Sequence, residues 1–247
     1  MHWLSLRNSW LVAGVAGFAA VAQADIALTI NASSSMGSGS LVVTTDDGVT
    51  LPDGTFMWVL SSPFNIVDSG NGNTIAEVQF GSIMFSTTGN VSHSFVVQAG
   101  GVDTHFTLSS GIVAIPPIAN PFGRASAGVT LTDINGNGAM LTGHQAGGDL
   151  FEAFYDSGQV FADLLSSPFG FSTPFGTDTA SDEYPAGAGN FAAFPGPASQ
   201  IGIEWDFTLS ASDSASGTSV FVVIPTPAAG ATMLVGAGLI AGRRRRG

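Results

Sequence analysis

Glu204 and Asp206 stand two residues apart in the run Ile201-Gly-Ile-Glu-Trp-Asp-Phe-Thr-Leu209. On an extended chain both carboxylates project from the same face. Such a pair could help cleave a glycosidic bond if a further carboxylate, three residues on, completed the acid and nucleophile. Leu209 occupies that place, so a solvated strand face is the simpler expectation. Asp133, Asn135 and Asn137 present oxygens at alternate positions, as calcium loops do. A loop of about twelve residues would, however, end at His144 where such loops carry Glu. Gly136 and Gly138 suit a hairpin turn equally well. Calcium, at this loop or held loosely elsewhere, is the one cofactor the sequence suggests, and nothing requires it. His93, His105 and His144 lack partners at metal-ligand spacing and read as ordinary strand residues. With no cysteine there is no disulfide, thiolate metal site or cysteine nucleophile. Trp205 falls on the apolar side of its run and reads as core. Tyr184, in a Pro- and Gly-rich stretch, is the better platform for a sugar ring.

Short strands must position these residues. In the run from Ile201 to Leu209 every odd position is apolar and every even one small or polar, the pattern of a half-buried strand. Further β-rich runs cover residues 40–45, 55–60, 74–87, 91–98, 104–109, 128–133 and 219–224. Turn clusters such as Pro52-Asp-Gly54 and Asn135-Gly-Asn-Gly138 separate them. Residues 149–165 read as two strands joined at Asp156-Ser-Gly158, and residues 166–198 as a long loop. The expected fold is all-β, an antiparallel β-sandwich of jelly-roll-like form. Two echoes, Ser61-Ser-Pro-Phe64 with Ser166-Ser-Pro-Phe169 and Phe106-Thr-Leu-Ser109 with Phe207-Thr-Leu-Ser210, raise the question of two related halves.

Charge is segregated along the 247 residues. Five of six basic residues lie near the ends: Arg7, Arg243, Arg244, Arg245 and Arg246. The segment between keeps 18 acids against Arg124, a formal charge of −17. A body so anionic repels phosphate backbones, which excludes nucleic acid as a partner. At 45% hydrophobic residues the chain is also too apolar to stay disordered.

Both ends read as addresses. Residues 1–24 hold Arg7, an apolar run over residues 10–21, and the small-x-small sequence Ala22-Gln-Ala24 before Asp25, the layout of a cleaved secretory signal peptide. The apolar run covers about 18 Å as a helix, too short for a bilayer core of about 30 Å. The expected partners are an export translocase and a signal peptidase. The body then spans residues 25–224, and residues 225–247 form a trailer. Its parts are Pro225-Thr226-Pro227, a charge-free apolar stretch over residues 228–242, and Arg243 to Arg246. The apolar stretch reaches about 22 Å as a short helix, with the arginines holding its end on the cytoplasmic side.

Over these last 23 residues or so the chain resembles the PEP-CTERM sorting signal of Gram-negative bacteria. Pro225, Pro227 and the four arginines match, while Thr226 stands where the family usually carries Glu. The resemblance implies an exosortase-type membrane protease that recognises the proline motif and removes the helix. It also implies transient inner-membrane anchoring and delivery to the cell surface or extracellular matrix. Three activities are then compatible with the body. It is a non-enzymatic structural or adhesive domain, a carbohydrate-binding module of the exopolysaccharide matrix, or a glycan hydrolase; the first is the expectation. A trailer that is never cut would make the chain a permanently anchored surface protein.

Overall fold

The computed structural model describes residues 25–156 and 158–226. Ala22, Ala24, Pro227, Arg243, Arg244, Arg245 and Arg246, with both expected terminal helices, lie outside the described residues. In chain order the first strands are β1 (Ile26–Ser34), β2 (Gly37–Thr44), β3 (Val49–Thr50), β4 (Thr55–Val59), β5 (Phe64–Val67) and β6 (Thr74–Ser86). Next come β7 (Asn90–Ala99), β8 (Thr104–Ser110), β9 (Val113–Ile118), β10 (Pro121–Thr132), β11 (Ala139–Gly143) and β12 (Asp149–Tyr155). The last are β13 (Gln159–Ser166), β14 (Phe169–Phe171), β15 (Thr177–Tyr184), β16 (Ala192–Ala193), β17 (Ala198–Leu209) and β18 (Ser214–Pro225).

These strands form two antiparallel sheets. The first runs β13-β12-β17-β8-β1-β2, with β9 and β11 paired to β17 and β14 paired to β11. The second runs β15-β10-β18-β7-β6-β4-β3, with β16 on β10 and β5 on β6. Period-two burial is the cause of the layering. Along β7, β8 and β10 every second residue is buried, so each strand has one dry and one wet face. The odd positions from Ile201 to Leu209 are wholly buried, as their alternation predicts. Between the sheets Phe95 of β7 meets Trp205 of β17 edge-on at 5.2 Å, and Phe161 of β13 stacks on Phe221 of β18 at 5.2 Å. Ala125 and Ala127 on the dry side of β10 leave room for such rings.

Residues 149–165 are two strands, as expected, joined around Asp156. The stretch 166–198 differs from its expected loop, because it contributes β14, β15 and β16. The longest of these, β15, is an edge strand exposed along most of its length, so no dry face marks its sequence. The echoed segments around Phe106 and Phe207 lie side by side in the first sheet, with Phe106 and Phe207 directly paired. Both contribute to one continuous core.

The two ends of the described chain emerge at one pole. Asp25 shares a small apolar hollow of about 210 Å³ with Thr87 and Ile112. The Val223 amide donates to the carbonyl of Gly89, in the same β6–β7 turn, at 2.7 Å. Both terminal strands are interior ones: β1 lies between β8 and β2, and β18 between β10 and β7.

Candidate functional site

The Asp133 loop is a closed turn. Asp133 is buried, and its Oδ1 accepts from the Gly136 amide at 2.7 Å. Its Oδ2 accepts from the amides of Gly138 at 2.9 Å and Phe175 at 3.0 Å. Burial pushes this carboxyl's pKa up, but the backbone donors of Gly138, Gly136, Phe175 and Asn135 outweigh it and hold the group below its ordinary value. Asn135 spends its Oδ1 on the Asn137 amide and its Nδ2 on the Ala211 carbonyl. Gly136 and Gly138 both adopt positive φ, the hairpin requirement. The geometry thus follows the turn reading of Asp133, Asn135 and Asn137. Among the described residues no group of three or more His, Asp or Glu side chains is arranged to hold a metal.

Glu204 and Asp206 do share the wet face of β17, and register gives each a neighbour that spacing along the chain conceals. Asp206 Oδ1 lies 2.5 Å from Nε2 of His105 on β8. His144 packs edge-on to His105 at 4.7 Å between ring centroids, and its Nε2 is 2.8 Å from Thr208 Oγ1. Glu204 accepts from Gln145 Nε2 at 3.2 Å and stands directly opposite Glu152 of β12. Glu152 in turn stands opposite Asp163 of β13, so three carboxylates form a row across three strands. Burial, then the charges of Asp163 and Glu204, push the Glu152 carboxyl above its ordinary value. Burial and the charge of Asp149 do the same to Asp163. His93 lies in none of these arrangements. It faces the core, beside Phe95, with both ring nitrogens lacking a partner.

Asp163 also belongs to the cleft in which Tyr184 lies. Here the edge of the first sheet, β13, faces the edge of the second, β15, around a hollow of about 590 Å³. Phe161, Asp163, Asp182, Glu183 and Tyr184 line it. Tyr184 is on β15 and not in a loop; the residue is 46% exposed and its ring meets Phe161 edge-on at 5.3 Å. Glu183 is held by the Arg124 guanidinium, and that bond, with one from the Gly187 amide, keeps its carboxyl below the ordinary range. A half-exposed aromatic ring beside carboxylates can stack on a pyranose face and accept from its hydroxyls. Sequence spacing brings out Tyr184 alone; Phe161 and Asp163 join it only through the meeting of two sheet edges.

The trailer's first residues continue directly from the body. Pro225 closes β18 opposite Pro121, and Thr226 Oγ1 donates to the Asn120 carbonyl at 2.6 Å. Asp25, the residue expected to follow the cleavage site, precedes β1 with its carbonyl bonded to the Thr45 amide at 2.9 Å.

No family model and no curated protein matches this chain. Among solved structures it is similar to the enzymatically active domain of tailspike protein 4 from bacteriophage CBA120, at 14% identity over 68% of this chain and 19% of that one, with a TM-score of 0.26. It is also similar to a chain of infectious bursal disease virus, Gx strain, at 15% identity over 90% of this chain and 55% of that one, with a TM-score of 0.25. This chain therefore spans about a fifth of the tailspike chain and about half of the viral one. Likenesses so distant carry nothing about activity.

Proposed function

We propose that the chain is an exported protein of a Gram-negative bacterium, delivered to the cell surface or extracellular matrix, whose jelly-roll-like body acts structurally or by adhesion and not by catalysis. One observation supports this most. The strands run from Ile26 to Pro225, so the folded body fills the interval between the expected leader and trailer with almost no spacer at either end. The leader engages the translocase and signal peptidase. The trailer holds the chain transiently in the inner membrane until an exosortase-type protease removes its helix. The test is the intact mass of the protein from its native host. A mass that begins at Asp25 and lacks Arg243 to Arg246 supports sorting, whereas a retained tail identifies a permanently anchored protein. Processing at neither end rejects export.

A second reading, a carbohydrate-binding module of the exopolysaccharide matrix, is favoured by the Tyr184 cleft. A glycan array probed with and without calcium, using wild type and Tyr184→Ala, decides it. Binding that Tyr184→Ala abolishes supports this reading, and silence of the wild type on the whole array removes it.

A further inference from the structure

We propose that the outer face of the second sheet binds a neutral polysaccharide chain in a furrow that crosses β6, β7, β18, β10 and β15. This furrow adjoins the Tyr184 cleft, sharing Asp182 and Glu183 with it, but does not include Tyr184; the inference rests on the carbohydrate-binding reading and assigns it a different surface. The furrow has two adjoining hollows, of about 510 and 360 Å³, which share Gly128 and Thr218. Register orders its floor into rows. Phe80, Val96, Ser216, Thr130 and Thr179 are successive cross-strand neighbours. Two residues along, Ser82, Ser94, Thr218, Gly128 and Ser181 form a parallel row. Each row crosses five strands and therefore extends about 19 Å, with about 7 Å between rows. That is room for several sugar units laid across the strands.

The chemistry of the floor selects the occupant. In a body that carries 18 acids, β7 and β18 contain no Asp, Glu, Lys or Arg. The acids of the sandwich's other outer face, Glu152, Asp163, Glu204 and Asp206, have no counterpart on these two strands. At the β15 end Asp182 and Glu183 border the larger hollow, and Glu183 is paired with the Arg124 guanidinium. A polyanion gains nothing from the uncharged floor over β7 and β18 and is repelled by these carboxylates and the rest of the body, while a polycation finds no partner charge along β7 and β18. What the floor offers is hydroxyl groups, which both donate and accept, set beside apolar surface. Phe80 supplies that surface at one end. It is 39% exposed where β6 bulges against β7, and it borders the smaller hollow, where its ring can stack on a pyranose face. Hydroxyl-rich, uncharged pyranose chains match both properties.

Gly128 provides the test. Its backbone is not left-handed, and an added Cβ would meet only ordinary contacts, the shortest 3.7 Å to the Ala180 carbonyl oxygen. Leucine there fills the furrow without straining the strand. The full-length chain, purified in mild detergent, is titrated calorimetrically with cellohexaose, xylohexaose and mannohexaose, and with an oligogalacturonate as the acidic control. Binding of at least one neutral probe is expected, at least about tenfold tighter than the acidic one. Gly128→Leu and the isosteric Thr218→Val, both with wild-type melting temperatures, are expected to weaken it. The loss is at least about tenfold for the leucine, while Tyr184→Ala leaves binding in place. The proposal is overturned if no neutral probe binds, if the acidic probe binds as well, or if Gly128→Leu binds like wild type. It is equally overturned if Tyr184→Ala alone abolishes binding. The titration does not depend on export, so a retained tail with intact furrow binding would remove only the sorting reading.

Discussion

The indole Nε1 of Trp205 on β17 donates to Ser219 Oγ on β18 at 3.0 Å, across the core from one sheet to the other. Both residues are buried, so neither group has water as an alternative partner. Ser219→Ala leaves the indole N–H unpaired and is expected to cost about 1–3 kcal/mol, read as a lower urea midpoint with an unchanged slope. In the Trp205→Phe background the same substitution should cost much less, because the donor is already gone. Equal costs in the two backgrounds would show that the bond contributes nothing.

Ser219 is also the cross-strand neighbour of His93, whose other flank is Ile83. Burial alone lowers the His93 pKa from 6.5 to about 3. Between those values the unfolded chain holds a proton that the folded one does not, so stability rises with pH across this window. The slope reaches about 1.4 kcal/mol per pH unit for one proton. His93→Leu should flatten that part of the stability–pH curve, so that its advantage over wild type is larger near pH 5 than at pH 8, where only the unpaired ring nitrogens are relieved. Curves that run parallel through the window would contradict this.

The carboxylate row predicts a gain from a lost charge. The Glu152 pKa is raised in the folded state by burial and by Asp163 and Glu204, so its ionised form opposes folding. This penalty is present above the raised folded value and disappears as pH falls below the ordinary glutamate range. Glu152→Gln should therefore stabilise the protein at pH 7 by a few tenths of a kcal/mol, given how much solvent screens the site, and not at pH 3.5. A stabilisation that is independent of pH would point to packing instead of charge.

Asp133 separates turn from ion site. With its oxygens committed to the amides of Gly136, Gly138 and Phe175, added calcium should leave the melting temperature unchanged. Asp133→Ala should lower it, because the amides of Gly136, Gly138 and Phe175 lose their acceptor. Since the folded carboxyl lies below its ordinary value, the wild-type advantage should shrink as pH falls through that lowered value. A calcium-dependent rise that Asp133→Ala removes would restore the ion reading.

Local pattern was enough to reveal β17, because one of its faces is dry and the other wet, and that contrast survives in nine residues of sequence. It did not reveal β15, whose Thr-Asp-Thr-Ala-Ser-Asp-Glu-Tyr has water on most sides and no contrast to record. Nor could spacing pair His105 with Asp206, which are 101 residues apart, or align Asp163, Glu152 and Glu204. Those arrangements are products of strand register, which is decided by the whole sheet. The furrow was hidden for the same reason. Its serines and threonines look like generic polar positions until five strands bring them into rows.

The last strand is a keystone. β18 forms twelve residue pairs with β10 and nine with β7, so the second sheet stays split until this strand has arrived. On the proposed export route the body cannot close while any of it is still threaded through the pore. Zipping of β18 into its slot would then act as a ratchet, drawing the chain outward and leaving the proline motif at the membrane just as the cargo locks. Should synthesis stop before Ser214, the slot's two raw edges would remain open, and such chains would be expected to clump and not to reach the surface.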